Sequence, residues 1–480
     1  MGVMAFIVDL LVEELVAFKW EQVQKLLDEK MVFIGGATYI LISCFYSFIA
    51  VVMTVYWGPA AMGSGIAELM GYFNGTHVPG LIGVPALVTK VVGTGLGVAA
   101  GLCIGKEGPL AHIGACVGHM VVYFPFKWTK YFQNENFKRE AAAAGAAAGV
   151  SAAFGSPIGG SLLAYEISRP ATYWSFELTW KVFLSSSVAT FVLNLLICFV
   201  HGKDLSITNA GLIKFGEYDS KPYKLQDFPF FVILGVFGGL LGAFFIYFNA
   251  MLNGIRKKKL NTPVKKVLET LAMTVLTGLI FFLAPQILKK SCLSEDESSE
   301  EAEPIRYLCE EGMYNPIATL LFNPEGAVIK NFLSKKAVFS YEVLLLFFIL
   351  WYVFTNLTYG TFIPAGLFLP GILIGCALGR VLGLFIENFI VQEIHPSTYA
   401  IIGAAAVLAG YSRLSFSLAI IMLETTENVN LFLPIFYALA VSFATGGIFN
   451  PSMYVKAVGG KGFPFLNEKV PMCNELITAE

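Results

Sequence analysis

An acid set between glycines in the middle of an apolar stretch constrains this chain more than any other feature of it. Gly105-Lys106-Glu107-Gly108-Pro109 falls where one apolar run ends, near residue 104, and the next begins, at 109. Glycine and proline break helices. Backbone released from a helix inside a bilayer must be buried in protein or line a watery cavity, and an ionisable side chain at such a place marks a functional position. The stretch therefore implies a membrane, a broken helix and a working carboxylate.

The remainder of the sequence agrees with a membrane. Of the 480 residues 56% are hydrophobic and only 14% charged, against about 25% charged in soluble domains. Long apolar runs near 31–57, 81–104, 109–124, 174–200, 227–254, 267–288, 340–357, 397–411 and 430–448 each read as long enough to cross a bilayer of roughly 30 Å with some tilt. Shorter pieces at 64–74, 141–154, 157–167, 314–322, 366–388 and 413–424 are cut by Gly or Pro. Full spans mixed with half-spans are typical of transporters and channels. The first residues carry Asp9, Glu13 and Glu14 within their apolar run and lack a basic leader, so they read as an amphipathic or tilted first helix.

Charge gives an orientation. Lys127, Lys130, Lys138 and Arg139 form one basic cluster, and Arg256, Lys257, Lys258, Lys259, Lys265 and Lys266 a stronger one, which the positive-inside rule makes cytoplasmic. The acidic stretch Glu295 to Glu303 then belongs on the opposite side. Its flanking Cys292 and Cys309 are read either as a bridge in an oxidising compartment or as two free thiols. A net charge of −2 argues against a nucleic-acid partner, and the scattered Cys and His lack metal-ligand spacing. No metal and no cofactor is expected.

The chain also repeats itself. Gly105, Pro109, Ile113, Gly114 and Gly118 match Gly366, Pro370, Ile374, Gly375 and Gly379 at one spacing, and Gly145-Ala146-Ala147-Ala148 through Glu166 matches Gly403-Ala404-Ala405-Ala406 through Glu424. Two stretches recurring in the same order predict two structural repeats, inverted relative to each other, with a binding site where their broken segments meet. Glu166 and Glu424, at matching positions, are read as buried helix-end carboxylates bonded to backbone or to Arg169 and Arg413. Gly93, Gly95 and Gly97, inside an apolar run, are read as close helix packing.

Three glycine-bearing breaks carry the chemistry: Gly63-Ser64-Gly65-Ile66, Gly105 to Pro109, and Gly366-Leu367-Phe368-Leu369-Pro370. Each opens a short helix, whose first N–H groups lack partners and whose N-terminus carries about half a positive charge. Ser64 alone reads more readily as a plain helix cap, and Tyr454 alone could be an interfacial aromatic anchor. Three such starts converging would bind an anion without a bare cation, tightly enough to admit it and weakly enough to release it.

In this order the three motifs resemble those of the CLC family of chloride channels and chloride/proton exchangers. The likeness extends over nearly the whole chain, through Gly145 to Pro157 and Phe463-Pro464-Phe465-Leu466, and is strongest to the eukaryotic endomembrane, lysosomal and plant-vacuolar-like branch. It implies an all-α polytopic membrane protein of two inverted repeats with several broken or half-spanning helices. Residues 1–480 would form one transmembrane domain: repeat 1 about 1–201, repeat 2 about 227–448, and a short cytoplasmic segment about 456–480. The family's cytoplasmic regulatory domains are not expected within this stretch.

The resemblance further implies chloride as ligand, held by Ser64, Gly65, Ile66, Glu107, Gly108, Leu367, Phe368 and Tyr454, with Glu107 as the voltage- or pH-dependent gate. A serine at 64 goes with chloride preference. It also implies a homodimer in the lipid bilayer, with one path per subunit, more fittingly in a vacuole- or lysosome-like membrane than at the cell surface. The family's exchangers carry a second, inner glutamate on the proton route, and here that position is Ile167. An aliphatic residue cannot hold a proton, so the sequence favours a passive chloride channel, with chloride/proton antiport as the alternative. An intramembrane enzyme would need a base near Glu107, for which only His112 offers itself, and a receptor would not need three glycine-rich helix starts.

Overall fold

The computed structural model describes residues 1–123, 133–168, 174–201, 223–287, 292–294, 302–334, 337–390 and 395–463. Lys127, Lys130, Arg169, most of the acidic stretch and residues 464–480 lie outside them. The described residues are mostly helical. α1 (Gly2–Asp28) and α2 (Val32–Val52) lead to the short α3 (Ile66–Phe73), followed by α4 (Val84–Ala99), α5 (Glu107–Val121), α6 (Glu135–Phe154), α7 (Pro157–Ser168) and α8 (Phe176–His201). A second series comprises α9 (Phe228–Lys259), α10 (Pro263–Ile287), α11 (Pro316–Phe322), α12 (Glu325–Leu333), α13 (Tyr341–Thr358), α14 (Phe368–Phe389), α15 (Pro396–Ser412), α16 (Phe416–Thr426), α17 (Phe432–Gly447) and α18 (Met453–Gly460).

Among the described residues seven segments are long and apolar enough to span a membrane. Length corrects four sequence expectations. The run 81–104 yields α4 of only 16 residues, 109–124 yields α5 of 15 and 397–411 yields α15 of 17, roughly 24, 22 and 26 Å at 1.5 Å per residue, all short of the bilayer. The piece at 366–388, expected as a broken half-span, is the 22-residue α14. Its break lies before Phe368 rather than within it, because Pro370 sits in the first turn, where a missing N–H costs no hydrogen bond.

Small residues set the packing. A Cβ on Gly114 would stand 2.0 Å from the carbonyl oxygen of Gly145, and one on Gly118 2.1 Å from that of Ala141, so α5 and α6 touch backbone to backbone. The second series repeats this: Gly375 lies against the Gly403 carbonyl (2.4 Å) and Gly379 against that of Tyr399 (2.0 Å), joining α14 to α15. Without a hydrophobic drive inside lipid, close contact of this kind is what holds helices together. Gly93 and Gly97 of α4 likewise pack against Pro364 and Ile104.

The two series cap one another. Glu166, at the end of α7, accepts hydrogen bonds from Ser415 N and Oγ (3.3 and 2.9 Å), Phe416 N (2.9 Å) and Ser417 N and Oγ (3.4 and 2.6 Å), covering the start of α16. Glu424 of α16 does the same at the start of α7, accepting from Ile158 N (3.3 Å), Gly159 N (2.9 Å) and the Ser156 hydroxyl. Contact i to j matched by j to i is the signature of a two-fold relation. The backbone partners agree with the sequence reading. Arg413 does not join Glu424; it donates to the carbonyls of Ser442 (3.3 Å) and Phe443 (3.1 Å).

On the face opposite the basic cluster, a two-residue hairpin pairs β1 (Leu293–Ser294) with β2 (Met313–Tyr314), and Cys292 is bridged to Cys309. Of the two readings of these cysteines the structure has the disulfide. A short connection is thereby closed into a covalent loop beside the Arg306–Asp28 ion pair at 2.7 Å.

Gly145→Val should separate α5 from α6 and lower the thermal unfolding midpoint of detergent-purified protein by several degrees, the overpacking cost being about 1–3 kcal/mol or more. Gly254→Ala, at a helical glycine with open space around it, should leave the midpoint unchanged or slightly raised.

Candidate functional site

The three breaks meet. Gly105 and Gly366 exchange backbone hydrogen bonds, N to O, at 2.9 and 2.8 Å. Gly63 N donates to Ile363 O at 2.9 Å, and Ala365 N donates to Gly63 O at 3.1 Å. The peptide groups released where α3, α5 and α14 begin thus satisfy one another in the protein interior, as burial requires. Only glycine permits the approach: a Cβ on Gly366 would stand 2.6 Å from Gly105 O, and one on Gly108 3.0 Å from the Ser64 Cβ. Gly65, the N-cap of α3, has a left-handed φ of 84°.

Neither α5 nor α14 has a side chain capping its first amides. At α3 the Ser64 Oγ accepts from Ile66 N at 3.3 Å; the N-cap itself is Gly65 rather than Ser64, so Ser64 bonds the local backbone from one position before the cap. The sequence-predicted Ser64, Gly65, Ile66, Glu107, Gly108, Leu367 and Phe368 all fall on these three meeting starts. Their partial positive charge is directed into one place from both halves of the chain.

Glu107 occupies that place. It is 1% exposed, and its carboxylate lies over Gly105, where an added Cβ would be 2.3 Å from Oε2. The amides of Lys106, Glu107 and Leu369 are near enough to act on it electrostatically, yet neither oxygen completes a hydrogen bond of ordinary geometry. The neighbouring Lys106 does not hold it, because its ammonium is paired with Asp9 of α1. Among the described residues no side chain holds the Glu107 carboxylate; it lies against the amides that open α5 and α14.

Toward the basic face a cavity of about 810 Å³ reaches this site, lined among others by Ser64, Tyr359, Arg256, Lys266, Lys456 and Lys461. Its cations would concentrate anions at the mouth. Lys461 is paired with Glu68 of α3, and Arg256 with Glu269 at 2.7 Å. Tyr454, on α18, is 2% exposed, and among the described residues its hydroxyl has no hydrogen-bond partner. It stands within electrostatic reach of Tyr359, whose own hydroxyl faces Ser64. Tyr454 is therefore buried in the protein and is not an interfacial anchor.

Sequence reasoning missed three contributors. Lys90, 1% exposed inside α4, donates from Nζ to the carbonyls of Ala61 (2.9 Å) and Gly63 (2.7 Å), fixing the turn before Ser64 from behind. A lysine inside the apolar run 81–104 was itself a signal. Tyr411 donates to Leu367 O at 2.5 Å and lies against Gly371, bracing the start of α14. Tyr359 follows directly on α13 and had no motif to announce it. His112 engages Leu81 O through Nε2 at 2.8 Å and packs its ring on Gly65, a supporting role rather than that of a base toward Glu107.

Ile167 is 2% exposed and offers no polar atom. The adjacent Glu166 has its oxygens engaged by the five donors at the start of α16, so it serves as a cap.

The family model described as voltage gated chloride channel matches residues 46–447. The mouse protein named H(+)/Cl(-) exchange transporter 7 is 33% identical over 495 residues, covering 100% of this chain and 61% of its own length. The Arabidopsis thaliana chloride channel protein CLC-d is 32% identical over 493 residues, covering 98% and 62%. The chain thus spans about three-fifths of the curated relatives it matches. A crystal structure of a eukaryotic CLC transporter superposes with a TM-score of 0.73 at 22% identity, covering 96% of this chain and 72% of the other, which extends the likeness to the fold.

Lys90→Met should leave the Ala61 carbonyl without its buried donor, at about 1–3 kcal/mol, and leave the Gly63 carbonyl with Ala365 N alone. The expected outcome is a lowered unfolding midpoint, together with anion flux reduced at least about tenfold in vesicles containing equal amounts of folded protein.

Proposed function

Because the chain belongs to the voltage-gated chloride channel family, we propose that it carries chloride across an endomembrane of the vacuolar or lysosomal kind, in exchange for protons. The observation that carries this reading is the meeting of three uncapped or self-capped helix starts around the buried Glu107. Chloride entering the basic cavity would pass Ser64 and Tyr454 and lose its water to the amides near Gly65, Ile66, Gly108, Leu367 and Phe368. Dipoles and hydroxyls at that point, with no bare cation, attract the ion without trapping it. The repeats about 1–201 and 227–448 each supply part of this lining. A homodimer with one path per subunit follows from the same family likeness.

Glu107 joins the two fluxes. Ionised, its carboxylate is an anion and competes with chloride for the same amides. Protonated, it has no claim on them and swings out, carrying its proton with it. One group can thus be both gate and proton carrier, provided that protons reach it from both sides.

Exchange is favoured over passive conductance by the relatives that match across the whole chain, several of which are named as exchangers. Ile167 favours the second reading, a channel, because the inner proton route then lacks its carboxylate and Glu166 is already engaged. The two differ in a measurement on reconstituted vesicles. Exchange requires the reversal potential to move when a proton gradient is imposed at fixed chloride. A potential set by chloride alone would remove exchange and leave conductance.

Glu107→Ala should give chloride flux that no longer responds to pH on the face opposite the basic cluster. Flux measured by a chloride electrode across a pH series checks this, and an unchanged pH response would remove Glu107 from the gate.

A further inference from the structure

A second, mostly apolar pocket with a buried lysine in its wall lies on the face opposite the basic cluster, away from the path through Ser64. α1, α2, α12 and α13 enclose a cavity of about 50 Å³ lined by Lys19, Trp20, Tyr39, Gly101, Glu325 and Trp351, among others. That is several times the roughly 10–15 Å³ that one water-sized occupant needs.

Lys19 is 4% exposed. Its ammonium donates to the carbonyl of Ala99, the last residue of α4, at 2.7 Å and to Ser43 Oγ at 3.5 Å, and stands 4.5 Å from the centroid of the Tyr39 ring. All three partners are neutral, and among the described residues no carboxylate lies within the 4.0 Å of an ion pair. A buried ammonium has three donors and a charge that needs compensation; here two donors have neutral acceptors, the remaining side faces the Tyr39 ring, and no anionic group balances the charge. Gly101 keeps the approach open, since at its φ of +79° a Cβ would stand 3.3 Å from Nζ and 2.8 Å from the Tyr39 hydroxyl.

Glu325, at the start of α12 and half-buried, lines the same cavity. The pocket therefore has a cation and an acid on its walls that do not pair with each other. The titratable groups around Glu325 are Lys19 of α1, Tyr39 of α2, Cys103 in the turn after α4, and Lys106 and Glu107 at the start of α5; α14 presents Arg380 to the far end of α12.

We propose that this pocket is a second anion site, which takes a dehydrated halide onto Lys19 when Glu325 is protonated and loses it when Glu325 ionises. Two like charges in so small a cavity repel strongly, so the acid decides occupancy. Gly101 and Leu102 line the pocket, and the chain runs from them straight to the break at Gly105, so an occupant stands at the outer approach to Glu107. That last role rests on the transport reading above; the site itself does not.

Bromide soaked into crystals of the full chain at acidic and at alkaline pH, and located by anomalous diffraction, tests the site. A peak beside Lys19 Nζ is expected at acidic pH and should disappear in Lys19→Met. In Lys19→Arg, whose guanidinium stays charged across this range, the peak should be present at acidic and absent at alkaline pH, and with Glu325→Gln added it should persist to alkaline pH. In vesicles, Lys19→Met should raise the half-saturating chloride concentration about fivefold on this face at acidic pH and not on the basic face. Bromide between Ser64 and Glu107 with none at Lys19 would overturn the proposal and leave the transport reading intact. A Lys19 peak indifferent to Glu325→Gln would overturn the switch. Bromide at Lys19 with none near Ser64 would uphold this site and remove the transport reading instead.

Discussion

Everything in this molecule depends on how peptide groups freed from helices are kept satisfied at membrane depth. Inside a bilayer each unpaired N–H or C=O costs several kcal/mol, which ordinarily forces continuous helices. Here Gly105 and Gly366 answer one another across the two halves, and Gly63 answers Ile363 and Ala365. With those groups paired, three helices can start in the interior with their first amides turned toward a common point. On the proposed reading, anion binding would be a by-product of a solved backbone problem, and no lysine or arginine would have to stand in the path.

The sequence made the breaks legible because glycine beside serine, proline or an acid, in the middle of an apolar run, serves little purpose except to start or end a helix. The internal repeat made it legible that the breaks belong together. Helix extents were harder to read. Apolar residues at 81–83 and 100–104 extend the run without extending α4, since Pro85 fixes its start and the left-handed Gly101 its end. α14 was underestimated for the opposite reason: Gly371, Gly375, Gly379 and Gly383 look like interruptions, yet they are contact points along an intact helix. Periodicity alone does not separate a glycine that ends a helix from one that packs it.

Of the site itself, the residues on the three motifs were readable and the ones behind them were not. Lys90 and Tyr411 act by holding a turn or a helix start, and that work appears only once the chain has been folded around them. Tyr359 reaches Ser64 from the end of α13, about 295 positions away in sequence. Glu166 and Glu424 were readable as helix-end acids, but their exchange between the halves needed coordinates. The departure at Ile167 was visible in the sequence itself. Its weight against the exchanger relatives is a question of proton routes, and hydrophobic pattern carries no information about those.

The backbone-to-backbone seams of α5 with α6 and of α14 with α15 bear on how turnover can occur. Where carbonyls abut glycines there is no layer of flexible side chains to absorb a shift, so a displacement of one helix start would have to drag its neighbour with it. Large rocking motions of the kind that open many carriers are therefore costly here. On the proposed reading, work would be left to the lightest component, a single carboxyl arm rotating about its own bonds. A carrier assembled this way would resemble a fixed bearing with one swinging pawl.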